Sequence, residues 1–168
     1  MSKFIPTLDL YARMVLREVG VPTGLVTILN DETQEIPGAA GKYGLRESTP
    51  ISESFCQHVV ANNAPLIIPD ARLDSRVCDK PSVTKGAVVA YMGYPLRNSK
   101  GKTIGSVCAI DSEPRSWSDP ELEALRDVAH ATTAEVIRRE VQWRLEWAWT
   151  IAAAFIVVTL IMGIILFA

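Results

Sequence analysis

From Trp147 to Ala168 the chain reads WAWTIAAAFIVVTLIMGIILFA, about 22 residues without one charge. At ~1.5 Å of rise per residue, a helix of ~20 apolar residues crosses a hydrocarbon core of ~30 Å. A helix of that length exposed to water carries a polar face, and this stretch offers none. The expectation is a transmembrane helix over 147–168, holding the rest of the chain to a bilayer.

The flanks fit that expectation. Trp143, Trp147 and Trp149 cluster where indole rings favour the headgroup zone, and Arg138, Arg139 and Arg144 sit beside them. The positive-inside bias then puts the N-terminal part in the cytoplasm and the C-terminus outside, a single pass through the cytoplasmic (inner) membrane. Met1–Leu10 carries Lys3, Pro6 and Asp9, which does not make a secretory signal. The expected organisation is one domain over 1–135, a helical juxtamembrane linker over 136–146, and the span.

The first part is of ordinary single-domain size. A net charge of −2, with no basic stripe, excludes a nucleic-acid partner. Three cysteines, Cys56, Cys78 and Cys108, read as thiols rather than a disulfide framework in a cytoplasmic domain. His58 and His130 are too few and too far apart to predict a metal site, so no metal and no cofactor are expected.

Leu8, Tyr11, Val15 and Val19 recur at helical spacing, predicting a helix over Leu8–Val19 with Thr7 or Asp9 near its start and Gly20 ending it. Gly24–Asn30 is rich in β-branched residues and predicts a strand; Glu35–Gly44 predicts a weaker one. Ser52–Asn62 predicts a short helix capped by Ser52, and Pro65–Pro69 a brief strand. Asp70–Thr84 is polar and irregular, the kind of excursion in which function often sits. Ala87–Arg97 and Thr103–Ser112 alternate apolar and polar positions around the turn Asn98–Gly101, a hairpin. Ser118, Pro120 and Glu121 mark a helix start, and no Gly or Pro then occurs before Gly163, so that helix is expected to run on into the span. Together these elements predict an α+β domain: a central antiparallel sheet with helices on both faces, plus one C-terminal transmembrane helix.

The order SFCQHVV (Ser54–Val60), PLIIPDARLDSRV (Pro65–Val77), AYMGYPLRNSKGKTIGSVCAIDSEPRSWS (Ala90–Ser118) and ELEALRDVA (Glu121–Ala129) resembles a GAF domain, in particular a bacterial small-molecule sensor subgroup. The resemblance implies a pocket between the sheet and the segments Ser54–Val60 and Asp70–Gly86. By position its candidate ligand-binding residues are Phe55, Cys56, Asp70, Arg72, Arg76, Tyr91, Tyr94 and Cys108. A bilin chromophore is not implied, because Cys56-Gln57-His58 is not the attachment arrangement.

One branch of that family reduces free methionine-(R)-sulfoxide with cysteines, and Cys56 and Cys78 fall roughly where that branch has its resolving and catalytic thiols. Its other cysteine and its glycine-rich and aromatic motifs are missing here, so no enzyme is expected and no catalytic residue is assigned. Cys56 and Cys108 stand in apolar surroundings, where inert buried thiols are the expectation. The resulting expectation is a membrane-anchored cytoplasmic sensor or interaction module without its own output domain. It would act through a separate membrane protein or through a second copy along the long helix, whose Leu122, Leu125, Ala129, Thr132 and Val136 keep an a/d-like spacing. The alternative is an accessory subunit, without catalysis, on a larger respiratory or photosynthetic membrane complex. A cavity of roughly several hundred Å³ favours the sensor, and a closed pocket filled by side chains favours the subunit.

Overall fold

The alternation in the last hairpin separates two buried faces, not a buried face from a wet one. In the computed structural model, which describes residues 8–42 and 48–167, strands β5 (Ala90–Arg97) and β6 (Thr103–Asp111) pair antiparallel from Ala90↔Asp111 to Arg97↔Thr103. β1 (Thr23–Leu29) pairs with the other edge of β6, in register from Thr23↔Ile110 to Ile28↔Gly105. Beyond β1 lie β2 (Thr33–Gly41) and the short β3 (Thr49–Pro50); β4 (Leu66–Ile68) closes the far side against β5. The order is β3-β2-β1-β6-β5-β4, every pair antiparallel. With layers on both sides, β6 is buried from Thr103 to Ile110.

One face of the sheet meets α1 (Asp9–Val19) and the first half of α4 (Asp119–Phe167). Val26, Met92, Leu96, Val107 and Ala109 pack there against Val15, Val19, Leu125, Val128 and Val136. Side chains of this size, fully buried, each contribute roughly 1.5–3 kcal/mol. The other face meets α2 (Cys56–Asn62) and α3 (Pro81–Thr84), where Leu25, Tyr91, Cys108 and Ile110 pack with Phe55, Val59, Val77 and Val83.

Close approach of α1 depends on a missing side chain. A Cβ on Gly24 would lie 2.5 Å from the Ala12 carbonyl oxygen and 2.9 Å from Val15 Cβ. At its end α1 stops on Gly20, whose φ of 71° is left-handed and whose N–H reaches the Leu16 carbonyl. The neighbouring carbonyls of Val19 and Gly20 accept from Arg115, 3.2 Å each. The same guanidinium pairs with Asp111 at 2.9 Å and Glu121 at 2.6 Å, and lies over the Trp117 ring. One arginine thus ties the ends of α1 and β6 to the start of α4. Burial works against its charge, but the two carboxylates win and hold its pKa above the ordinary value.

Several expected boundaries move for identifiable reasons. Leu8 stands at the N-cap of α1 without a side-chain bond, while the Asp9 carboxylate accepts from the Ala39 N–H at 3.1 Å; Thr7 lies outside the described residues. The described part of the second strand ends at Gly41, and Tyr43 and Gly44 lie outside the description. Ser52 does not cap α2. Residues Ile51–Glu53 form a 3₁₀ turn, Ser54 is extended at ψ 136°, and α2 starts only at Cys56. At the start of α4 the Glu121 carboxylate accepts from the Ser118 N–H at 2.8 Å and its hydroxyl at 2.6 Å.

α4 is continuous through Phe167. Its stripe as far as Val136 covers this domain's own sheet and α1, so Leu125, Ala129, Thr132 and Val136 are buried within the chain. The expected transmembrane helix is not supported: among the described residues, no helix is long and apolar enough to cross a membrane. The uninterrupted described side chains from Trp147 to Ile156 supply about half of the ~20 residues a span needs. Side chains at 157, 158, 160, 161 and 163–168 lie outside the description. Trp147, Trp149, Phe155 and Ile156 are exposed.

Gly24→Ala should destabilise the domain by about 1–3 kcal/mol, because the new methyl meets backbone, which cannot rotate away. Urea unfolding of the variant beside the parent checks this; an unchanged midpoint contradicts the packing described.

Candidate functional site

On the second face, polar side chains that leave the sheet inward must find partners among themselves. Thr27 of β1 stands opposite Ser106 of β6, and Cys108 follows on the same face two residues on. Tyr91 projects from β5 beside Gly93. A Cβ on Gly93 would lie 2.3 Å from the Tyr91 hydroxyl, so the glycine makes room for that ring to lie along its own strand. α2 then brings Cys56 down onto the group.

The Cys56 sulfur is the meeting point. Thr27 Oγ1 donates to it at 3.0 Å, the Tyr91 hydroxyl lies 3.4 Å away, and the Cys108 sulfur 3.5 Å away. Tyr91 Oη and Ser106 Oγ lie 3.2 and 3.0 Å from the Cys108 sulfur. All five side chains are buried. Burial by itself pushes the Cys56 thiol up, but the hydrogen bonds from Cys108, Ser106, Thr27 and Tyr91 outweigh it and bring it down to about 6. Burial pushes the Cys108 thiol well above its ordinary range, and the neighbouring Cys56 adds to that. Burial and the two sulfurs likewise raise the Tyr91 phenol. The surroundings thus move the two thiols in opposite directions, Cys56 down and Cys108 up.

Above this cluster lies a cavity of about 110 Å³. Leu25, Ile36, Phe55, Val88 and Ile110 form its apolar wall, and Thr27, Cys56, Tyr91 and Cys108 its polar end. The Phe55 and Tyr91 rings lie 4.9 Å apart. At the rim, the Ser54 hydroxyl donates to the Gln34 side-chain carbonyl, and the Gln34 amide donates to Thr49 Oγ1 at 3.4 Å. An apolar enclosure with a few converging polar groups is the usual form of a small-ligand site. A larger hollow of about 700 Å³ lies at the other end of α2, lined by Ile28, Leu29, Ile51, Val60 and Ile104 together with polar groups such as Asn30, Gln57 and Lys102.

Of the eight residues expected from sequence, Phe55, Cys56, Tyr91 and Cys108 meet around this cavity. Tyr94 points to the opposite face and packs with the α1–α4 core. Arg72 forks onto Asp70 (2.8 and 2.5 Å) and Arg76 onto Asp74 (2.9 and 2.5 Å). These local pairs lie in the segment between β4 and α3. The Arg72 hydrogen bond lowers the Asp70 pKa, as the Arg76 bond does for Asp74. Cys78, half-buried, is neither a partner of the Cys56 sulfur nor part of the cavity wall. Cys56 and Cys108 are buried, as expected of thiols in an apolar face, but the hydroxyls of Thr27, Tyr91 and Ser106 lie beside them. Sequence reading missed Thr27, Ser106 and Gly93; the polar alternation Ser106, Cys108 in an apolar strand was the available signal. Among the described residues, no group of three His, Cys, Asp or Glu is placed to hold a metal ion.

The GAF domain family model matches residues 4–136. A cyclic di-GMP phosphodiesterase of Pseudomonas aeruginosa is 35% identical over 95 residues, 56% of this chain; the match spans only 16% of that relative's length. Among solved structures, the second GAF domain of DevS from Mycobacterium smegmatis superposes with a TM-score of 0.63 at 20% identity, covering 82% of this chain and 95% of that one. A type II free methionine-R-sulfoxide reductase from Thermoplasma acidophilum gives 0.62 at 13% identity, covering 77% and 89%. At such identities these two likenesses establish the shared fold alone.

Hydrogen bonds to sulfur favour its charged form, so removing one moves the titration of Cys56 upward. In a Cys78→Ser background, Thr27→Val should shift the lower thiolate midpoint, read by absorbance at 240 nm, upward from about 6 by roughly one unit. A midpoint that stays in place contradicts the cluster's role.

Proposed function

The chain belongs to the GAF domain family, and we propose that it is a regulatory module that senses a compact, mostly apolar small molecule in the cavity beneath α2. The observation that carries this reading is the cavity itself: apolar walls, an aromatic pair, and hydroxyl and thiol groups converging at one end. The volume of about 110 Å³, smaller than the several hundred Å³ expected of a sensor pocket, limits the guest to a small one. An apolar cavity of ~150 Å³ holds benzene, so this one suits a molecule of one small ring or fewer atoms, with one hydrogen-bonding group facing Tyr91. A cyclic dinucleotide is several times too large, so the substrate named for the Pseudomonas relative is not carried over. The thiol-based reductase reading is not adopted, because Cys78 is not part of the wall of this cavity.

Phenol is a suitable probe. At ten times its Kd it should stabilise the folded chain by about 1.4 kcal/mol, a rise of a few degrees in Tm. Ile36→Phe, which fills the cavity from its half-buried wall, should abolish that rise while leaving the ligand-free Tm within a few degrees. A phenol effect unchanged by Ile36→Phe contradicts the assignment.

The proposal extends to the tail of α4. Support comes from the uncharged run from Trp147 and from the exposed Trp147, Trp149, Phe155 and Ile156, an apolar surface that water disfavours. In this reading the tail associates with lipid, beside Arg138, Arg139 and Arg144, and passes the ligand's effect to a neighbouring protein. The full chain should float with phosphatidylethanolamine–phosphatidylglycerol vesicles in a density gradient, and Phe155→Lys with Ile156→Lys should leave it in the dense fraction. A parent chain that remains in the dense fraction as a dispersed species contradicts the tether.

A further inference from the structure

We propose that Cys56 and Cys108 are a redox pair at the floor of the cavity, joined into a reversible disulfide when a small hydroperoxide oxidises Cys56. The inference uses the cavity as the route of entry but does not require an organic ligand to bind there.

Geometry carries it. The two sulfurs lie 3.5 Å apart, and both line the cavity. A disulfide has an S–S distance of ~2.05 Å, so side-chain rotation must close roughly 1.5 Å. The sulfurs sit on different elements, the first turn of α2 and the middle of β6, and neither element crosses the other to meet. The third cysteine, Cys78, is not part of the cavity wall.

The chemistry divides between the two thiols. Cys56, which accepts from Thr27 and has the Tyr91 hydroxyl and the Cys108 sulfur within 3.5 Å, is the nucleophile. Its thiolate attacks the outer oxygen of the peroxide; an S–O bond forms, the O–O bond breaks, and the leaving alkoxide takes up the proton that Cys56 gave away. Cys56 is now a sulfenic acid. The Cys108 sulfur then attacks Cys56 Sγ; the S–S bond forms, the S–O bond breaks, and hydroxide leaves as water with the Cys108 proton. Two thiols lose two electrons, and one hydroperoxide becomes an alcohol and water. The Tyr91 hydroxyl, within 3.4 Å of one sulfur and 3.2 Å of the other, is placed to pass protons between them. The lowered Cys56 and raised Cys108 thiols suit attacker and resolver respectively. Because Cys56 opens α2, the new bond would pull that helix against the sheet and narrow the cavity.

The test uses the reduced full chain, exposed to hydrogen peroxide, alkylated and weighed intact. The expected product has two of three thiols blocked and is about 2 Da lighter before alkylation; peptide mapping shows Cys56 joined to Cys108, and dithiothreitol restores both. Cys78→Ser should behave like the parent. Cys108→Ser should stop at the sulfenic acid, about 16 Da heavier and trapped by dimedone. Three thiols surviving excess peroxide, or a bridge through Cys78 or between two chains, overturns the inference. If no bridge forms while phenol still raises Tm, the redox pair fails and the ligand reading stands.

Discussion

Thr27 and Cys56 hold this domain's second layer in place. Their hydrogen bond joins a central strand to the first residue of α2, inside a face that is otherwise apolar. The Thr27 hydroxyl also lies 3.1 Å from the Ser106 carbonyl oxygen, so it links the neighbouring strand as well as the helix's sulfur. Ser106, Tyr91 and Cys108 complete the set, and a second bond, from the Thr103 hydroxyl to the Asn63 side chain, fixes the far end of α2. Asn63 closes the helix in a left-handed conformation at φ 51°. A helix of two turns is too short to be stable alone; these anchors and Phe55 and Val59 hold it against the sheet.

From that docking the cavity follows. Hydroxyls and sulfurs do not fill the space under α2 as branched apolar side chains would, and the gap they leave lies between Phe55, Leu25 and Ile110. In the opposite layer the contacts are apolar and close, down to Gly24, whose missing side chain lets α1 touch the sheet. One fold thus carries a tight structural face and a looser, polar-floored face. In the polar segment between β4 and β5 each arginine forks onto the carboxylate two residues before it, Asp70–Arg72 and Asp74–Arg76.

Much of this was legible in the chain. The hairpin of β5 and β6, the start of α4 at Ser118, and the end of α1 at Gly20 followed from turn and capping residues. Phe55, Cys56, Tyr91 and Cys108 were placed near a pocket by family resemblance, and they meet there. Tyr94 was misjudged because alternation gives the face of a side chain only relative to its neighbours: Tyr91 and Tyr94 are an odd number of residues apart and point opposite ways. Arg72 and Arg76 stand outside the cavity wall, and a carboxylate two residues earlier in each case holds the guanidinium. The Cys56–Cys108 contact could not be read, since sequence shows no distance across 52 positions. The tail resists for another reason: composition suggests lipid, while the described helix presents too few apolar side chains to establish a span.

The cavity's capacity to take a guest is the claim from which the functional account grows. Diffraction from crystals of the chain under xenon pressure tests it directly, because xenon seeks enclosed apolar space regardless of the natural ligand's identity. The account predicts a strong xenon peak between Leu25, Phe55 and Ile110, above the Cys56 sulfur. Xenon found only at other positions, with that space filled by shifted side chains, would contradict it.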